Sequence, residues 1–359
     1  MAPVIKELNR TGWANVSVVS TGQHREMVGQ ILSLFDIQLD HDLDVMEPNQ
    51  SLCGLSSKIF ARLDTVLDDM QPDLILVQGD TTSVMIASLA AFYKKIPVGH
   101  VEAGLRTHDL NRPFPEELNR VVAGVVADLH FAPTKGSYDN LIAENKPADH
   151  VFETGNTVID SLLEIADKNF PCPYPSSPNR RLVLVTAHRR ENFGAPLKQI
   201  CEAIKELHDK NPNLEFVYPV HPNPNVKAPV YDALGKLERV TLLPPADYHD
   251  LVMLIKNSYL ILTDSGGIQE EAPGLKKPVL ILRDETERPE AVDAGIAKLV
   301  GADKKEIISW VSKLLDDPAT YKKMASGGSP YGDGKASQRI AKHCFDFLHP
   351  SKTSQSEHS

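Results

Sequence analysis

The sequence predicts an α/β protein made of two doubly wound domains, each a parallel sheet covered on both faces by helices. Three observations carry this. Apolar strand-like runs alternate with helical patterns along the whole chain. The runs are rich in Val, Ile and Leu, as in strands buried on both faces. A proline- and serine-rich stretch, "NFPCPYPSSPNRR", separates two such series and reads as a linker.

The opening "MAPVIKELNR" places Val4, Ile5 and Leu8 at helical spacing, so residues 2–10 are expected to form an amphipathic helix. "NVSVVS" then reads as a buried strand. Strands follow at "DLILVQG", "PVGHV", "DLHFAPT" and "HVFETG", separated by helical segments at 52–70, 83–94 and 115–128. After the linker come "RLVLVTAH", "LEFVYPVH", "RVTLLPP", "YLILTDSG", "KPVLILRD" and "AKLVG". The domains are expected at 1–168 and 169–335. A helix at 336–350 is expected to pack back on the first domain, and the polar segment 351–359 to be a disordered tail. A helix-first beginning is unusual, because an α/β domain normally opens on a strand whose following loop builds a binding site.

Composition narrows the function. The chain has 359 residues, 42% hydrophobic and 24% charged, as in ordinary soluble proteins. A net charge of -10 argues against a nucleic-acid surface, while leaving room for a basic pocket that takes an anionic small molecule. The four cysteines (Cys53, Cys172, Cys201, Cys344) have no metal-site spacing and suit a reducing compartment. Neither a membrane-length apolar run nor a leader is evident, so the expectation is a cytoplasmic protein.

Ligands of open parallel sheets sit beyond the carboxyl ends of the strands. Those ends deliver Asp80, Glu102, Arg106, Glu116 and Glu117 in the first half. In the second they deliver His188, Arg189, Arg190, Glu191, His221, Asp264, Ser265, Gly266, Gly267, Glu270 and Glu271. Several have plainer readings. Asp80 precedes "TTS" and, taken alone, reads first as a helix cap. Glu116 and Glu117 lie in a first helical turn, where carboxylates suit the dipole. His188 and His221 read also as satisfied polar groups at strand ends. "DSGGIQEE" combines a strand end, two glycines and a helix start, which makes a pyrophosphate site or an ordinary cap. Glu271, one turn in, is a candidate acceptor for ribose hydroxyls.

Taken in order, "GDTTS", "GHVEAGLRT", "FPEELNR", "GNTVID", "TAHRREN", "YPVHPNPNV", "TDSGGIQEEAP" and "RDETERPEA" resemble the non-hydrolysing UDP-N-acetylglucosamine 2-epimerases. The resemblance spans nearly the whole chain. It implies two Rossmann-like domains of the type-B glycosyltransferase fold with the active site in the cleft between them. It also implies a homodimer without metal or cofactor, interconverting UDP-N-acetylglucosamine and UDP-N-acetylmannosamine. In that chemistry UDP leaves as the C2 proton is removed, and then adds back to the glycal. Carried over by motif, Asp80, Glu102, Glu116 and His188 are the catalytic residues. Arg106, Ser265, Gly266, Gly267, Glu271 and Arg288 bind substrate. "TGQHREM" adds Gln23 and His24, which with Arg189 and His221 resemble a second, activating UDP-N-acetylglucosamine site.

The beginning departs from the family pattern, in which a strand and a "GTRPEAIK" loop precede the helix matching "MAPVIKEL". The expectation is a chain that starts at an internal methionine and lacks that strand and phosphate loop. The alternatives carried are a hydrolysing 2-epimerase releasing N-acetylmannosamine and UDP, a glycosyltransferase, and an inactive nucleotide-sugar binder.

Overall fold

The computed structural model describes residues 1–350 apart from His24, Asn169, Pro175 and Ser176, and apart from the side chains of residues 25–27. The expected tail at 351–359 lies outside the described residues, as does His24. The chain divides into two compact units, Met1–Ser161 with Gly334–Ser359, and Leu162–Asp333.

The first unit begins with helix α1 (Ala2–Thr11), strand β1 (Val19–Ser20), α2 (Arg25–Leu34) and β2 (His41–Asp42). The predicted strand "NVSVVS" contracts to two residues. It pairs only with β2, as a separate two-stranded ladder, and Asn15–Ser20 stay exposed or half-exposed. A strand with one short neighbour cannot be buried on both faces, and the sequence run alone did not reveal that.

Then come α3 (Leu52–Met70), β3 (Ile75–Gln78), α4 (Thr82–Tyr93), β4 (Val98–Val101), α5 (Glu116–Val126), β5 (Leu129–Ala132), α6 (Lys135–Ala143) and β6 (Val151–Glu153). Strands β3-β4-β5-β6 form one parallel sheet in that order. Helix α7 (Thr157–Asp167) follows, and the unit is completed by the last helix of the chain, Ala336–Leu348. Ile340, Ala341 and Cys344 of this last helix pack with Val4 and Leu8 of α1 against Val101, Leu129 and Phe131. Asp160 caps it from a distance, accepting from the Ser337 N–H at 2.8 Å, the Ser337 hydroxyl at 2.6 Å and the Ala336 N–H at 3.2 Å.

The second unit contains β7 (Arg181–Thr186), α8 (Ala195–Lys210), β8 (Leu214–Pro219), α9 (Pro224–Leu234), β9 (Val240–Leu243), α10 (Tyr248–Asn257), β10 (Leu260–Thr263), α11 (Gly266–Gly274), β11 (Val279–Ile281), α12 (Pro289–Asp293), β12 (Ala297–Leu299), α13 (Lys304–Asp316) and α14 (Pro318–Ser326); the last helix of the chain is therefore α15. All six strands are parallel, in the order β12-β11-β10-β7-β8-β9. Counted within the unit this is the doubly wound Rossmann arrangement, whose order reverses between β7 and β10. The loops leaving β7 and β10 therefore diverge to opposite faces and open a crevice at their carboxyl ends, where His188 and Asp264 lie. The predicted strands are buried as expected: Leu182, Val183, Leu184 and Val185, like Leu260, Ile261 and Leu262, are at most 1% exposed.

Candidate active site

In the first unit the acidic residues gather at the carboxyl ends of β3 and β4. β3 gives way to Gly79, at φ +82°, and then Asp80. The cap of α4 is Thr81, whose hydroxyl accepts from the Val84 N–H at 3.4 Å, so capping does not occupy Asp80. Asp80 Oδ2 instead lies 3.4 Å from Arg120 Nη1, and its carbonyl accepts from Asn119 Nδ2 at 2.9 Å. His100 steadies the same turn from β4, with Nε2 2.8 Å from the Gly79 carbonyl. Burial pushes the His100 pKa down to about 4, so the ring is neutral and Nε2 carries the donated proton.

Glu102, directly after β4, has φ +62°. A left-handed conformation costs a residue with a side chain about 1–2 kcal/mol, and such strain at a strand end points to function. Glu102 Oε2 accepts from Gln78 Nε2 at 3.2 Å, and the same amide donates to Thr157 Oγ1 at 3.2 Å. The Met1 amino group donates to Gln78 Oε1, and burial lowers its pKa to about 6 despite Glu102 and Asp160 nearby. Two residues on, Gly104 has φ +90° and passes so near α6 that a Cβ would sit 2.2 Å from the Ser137 carbonyl. Only glycine fits there.

Glu116 and Glu117 start α5 and point about 100° apart, as adjacent helical residues do. Glu117 is 1% exposed. It accepts from the Thr107 N–H at 3.0 Å, the His108 N–H at 2.9 Å and Arg120 Nε at 2.6 Å. Burial alone would raise its pKa, but those donors and the Arg120 charge hold it below the usual carboxylate value. Glu116 is half-exposed. Glu117 with Arg120 thus ties the loop after β4 to Asp80, a framework role the sequence left open.

Arg106, expected to bind substrate, has a side chain 1% exposed. Nε and Nη2 donate to Glu144 at 2.6 and 2.9 Å, and Nη1 donates to the Leu105 carbonyl at 2.7 Å. The carboxylate of Glu144, at the C-terminal end of α6, matches its planar fork. Gln23 Oε1 accepts from Ser83 Oγ at 2.7 Å, which links the "TGQ" turn to the first turn of α4.

In the second unit Asp264, after β10, is fully buried. Its Oδ2 accepts from the His188 N–H, the Arg189 N–H and Asn192 Nδ2, each at 2.8 Å. His188 is 40% exposed at its side chain and stacks on the exposed His221 with ring centroids 5.4 Å apart. Partial burial lowers the His188 pKa; Asp264 opposes this, and His221 and Arg189 reinforce it.

Ser265 precedes α11, whose first residues are Gly266 and Gly267. The opening N–H groups of a helix lack intrahelical partners and favour an anion. Arg189 borders this helix start: a Cβ on Gly266 would lie 3.5 Å from its Nη2. Farther along α11, Glu270 pairs with Arg288 Nε. Glu271 is 6% exposed, and burial raises its pKa to about 7, opposed by the Tyr248 hydroxyl and reinforced by Glu270. Sequence reasoning had not singled out Gln78, Asn119, Arg120, Asn192 or Tyr248. Only Asn119 and Arg120 carried a signal, lying three and four residues beyond Glu116 on one helical face.

Among the described residues no group of three or more His, Cys, Asp or Glu side chains is placed to hold a metal ion. Among the described residues no helix is long and apolar enough to cross a membrane.

The family model described as UDP-N-acetylglucosamine 2-epimerase matches residues 6–344. The UDP-N-acetylglucosamine 2-epimerase of Campylobacter jejuni is 48% identical over 353 residues, covering 95% of this chain and 92% of that protein. The enzyme of the same name from Neisseria meningitidis is 50% identical over 349 residues, covering 95% and 94%. A crystal structure of the Neisseria meningitidis UDP-GlcNAc 2-epimerase bound to UDP-GlcNAc superposes with a TM-score of 0.84 at 49% identity, covering 96% of each chain.

Proposed function

The chain belongs to the UDP-N-acetylglucosamine 2-epimerase family, and from that premise we propose that it reversibly converts UDP-N-acetylglucosamine to UDP-N-acetylmannosamine. The observation that carries the reading is the acidic cluster at the carboxyl ends of β3 and β4, with Glu102 held in a strained backbone conformation. Elimination at C2 needs a base for the proton and negative charge beside a sugar losing its anomeric leaving group. Asp80, Glu102 and Glu116 are suited to these tasks. The electrons of the C2–H bond form the glycal double bond as the C1–O bond breaks toward UDP; in re-addition a proton is delivered to the opposite face of C2 while UDP bonds again to C1, which leaves C2 inverted.

The departing diphosphate needs a cationic, N–H-rich grip. Ser265, Gly266 and Gly267 at the start of α11, bordered by Arg189, offer one; His188 meets the leaving phosphate and Glu271 accepts from the ribose. Arg288, half-exposed beside Glu270, completes the nucleotide contacts. Gln23, Arg189 and His221 remain the described candidates for an activating second site.

The test is incubation with UDP-N-acetylglucosamine in deuterated water. UDP-N-acetylmannosamine carrying deuterium at C2 is the expected product. Free N-acetylmannosamine would assign the hydrolysing reaction instead, and UDP binding without exchange would make the protein a binder.

Three finer features belong to this proposal. A homodimer would bury the apolar side chains that α4 and α5 expose, Tyr93 at 71% and Val125 at 67% among them. A further parallel strand belongs between β1 and β3, since β1 and β2 stand apart from the sheet that β3 edges. The place of work is the cytoplasm, which suits four free cysteines.

A further inference from the structure

We propose that Asp264 is a positioning residue for His188, fixing its tautomer and orientation so that Nε2 faces the substrate diphosphate. The proposal rests on the reading of His188 given above. Its footing is the way Asp264 is held. Three donors at 2.8 Å converge on Oδ2: the backbone N–H groups of His188 and Arg189 and the side-chain amide of Asn192. Asn192 is itself anchored, its amide also donating to the Leu282 carbonyl at 3.0 Å. These bonds fix the carboxylate plane. The other oxygen, Oδ1, is fully buried and has no hydrogen-bond partner among the described residues.

A buried carboxylate oxygen left unpaired is costly and calls for an explanation. A polar group able to supply one is the His188 ring, with Nδ1 3.7 Å from Oδ1. That distance is beyond a hydrogen bond, and catalytic contacts of this kind commonly tighten when ligand binds. A small rotation of the ring closes it. Nδ1–H then donates to Asp264, and Nε2 is turned outward, where in the imidazolium its N–H donates to the diphosphate. The topology explains why these two residues meet: β7 and β10 are adjacent at the point where the strand order reverses, and each residue lies just past its strand. The charged groups facing the ring are Asp264, which favours the imidazolium, and Arg189 and His221, which oppose it. Removing the Asp264 charge leaves only the opposing pair.

The experiment uses the full chain labelled with ¹⁵N at histidine, together with Asp264→Asn, His188→Gln and the double variant. In the wild-type protein the His188 resonances, identified by their loss in His188→Gln, are expected to report Nδ1–H. Asp264→Asn is expected to lower kcat by about 10–100-fold with KM changed less than about 3-fold, and to move the basic limb of the kcat profile to lower pH, because the His188 imidazolium then loses its proton more readily. It should cost little further in the His188→Gln background, and Asp264→Glu should recover part of the loss. An Nε2–H tautomer in the wild type, an unmoved pH profile, or losses that multiply in the double variant would overturn the proposal. If His188→Gln turns over normally, the reading of His188 fails and Asp264's role in turnover fails with it. If His188→Gln is impaired while Asp264→Asn is not, only the positioning role is lost. Should Asp264→Asn not fold, the wild-type tautomer decides.

Discussion

Replacing Glu271 with glutamine should stabilise the second unit while weakening its hold on a nucleotide. Glu271 is 6% exposed, and burial raises its pKa from 4.5 to about 7, opposed by the Tyr248 hydroxyl and reinforced by Glu270. Between those two values the folded state binds more protons than the unfolded one, so stability falls as pH rises through that window. At about 1.4 kcal/mol per pKa unit, the penalty is about 3 kcal/mol above neutrality and under about 1 kcal/mol at about pH 5. Glutamine keeps the volume and discards the charge. Glu271→Gln should therefore raise the melting temperature of the second unit by about 6–12 °C at about pH 8, and by no more than about 3 °C at about pH 5. Scanning calorimetry at the two pH values reads this directly. Titration calorimetry should find UDP bound about 10–100-fold more weakly, the loss of charge-assisted bonds to hydroxyls. A gain of equal size at both pH values would refute the linkage reasoning, and undiminished UDP affinity would remove Glu271 from the ribose.

Three further substitutions test the framework. Glu117→Gln puts an amide donor against the Thr107 and His108 N–H groups or against Arg120, and should cost about 2–4 kcal/mol with a fall in kcat, read by chemical denaturation and by turnover. Arg106→Ala should cost about 2–4 kcal/mol by breaking the pair with Glu144, yet leave KM for UDP-N-acetylglucosamine within about 3-fold. A large rise in KM would restore Arg106 to the substrate site. Asp160→Ala strips α15 of three donated bonds and should cost about 3–5 kcal/mol, with hydrogen exchange in α15 rising before that of β5.

The strands of the second unit were legible because each lies in a short run dominated by apolar residues, and β7 to β12 fall within those runs. "NVSVVS" misled because an apolar run reports the tendency to be buried, while burial itself depends on how many neighbours a strand finds. Positions at strand ends were legible too, since sheet geometry sends ligands there. What was not legible was partnership across long separations. Arg106 meets Glu144 thirty-eight positions away, and Gln78 meets Glu102 through adjacent strands rather than through any motif. Even between neighbours the assignment shifted: Asp80 read as the cap of α4, and Thr81 holds that position.

The two acidic doublets show why a motif names a site more readily than it names its working residue. Both "EE" pairs sit near the start of a helix, and in each one member is taken by an arginine: Glu117 by Arg120, Glu270 by Arg288. Adjacent helical residues point about 100° apart, so a single cation serves only one of them. The paired member becomes framework, with its charge neutralised and its geometry fixed. The other keeps its chemistry, by different means in the two units. Glu116 keeps it by standing half-exposed at the helix start, open to a ligand. Glu271 is buried beside Glu270, and its pKa rises to about 7. A carboxylate that pays to be ionised gains from ligand hydroxyls, because their hydrogen bonds supply what burial removed. The instability predicted at Glu271 and its proposed grip on the ribose are therefore one property of one position, and a substitution that cures the first should abolish the second.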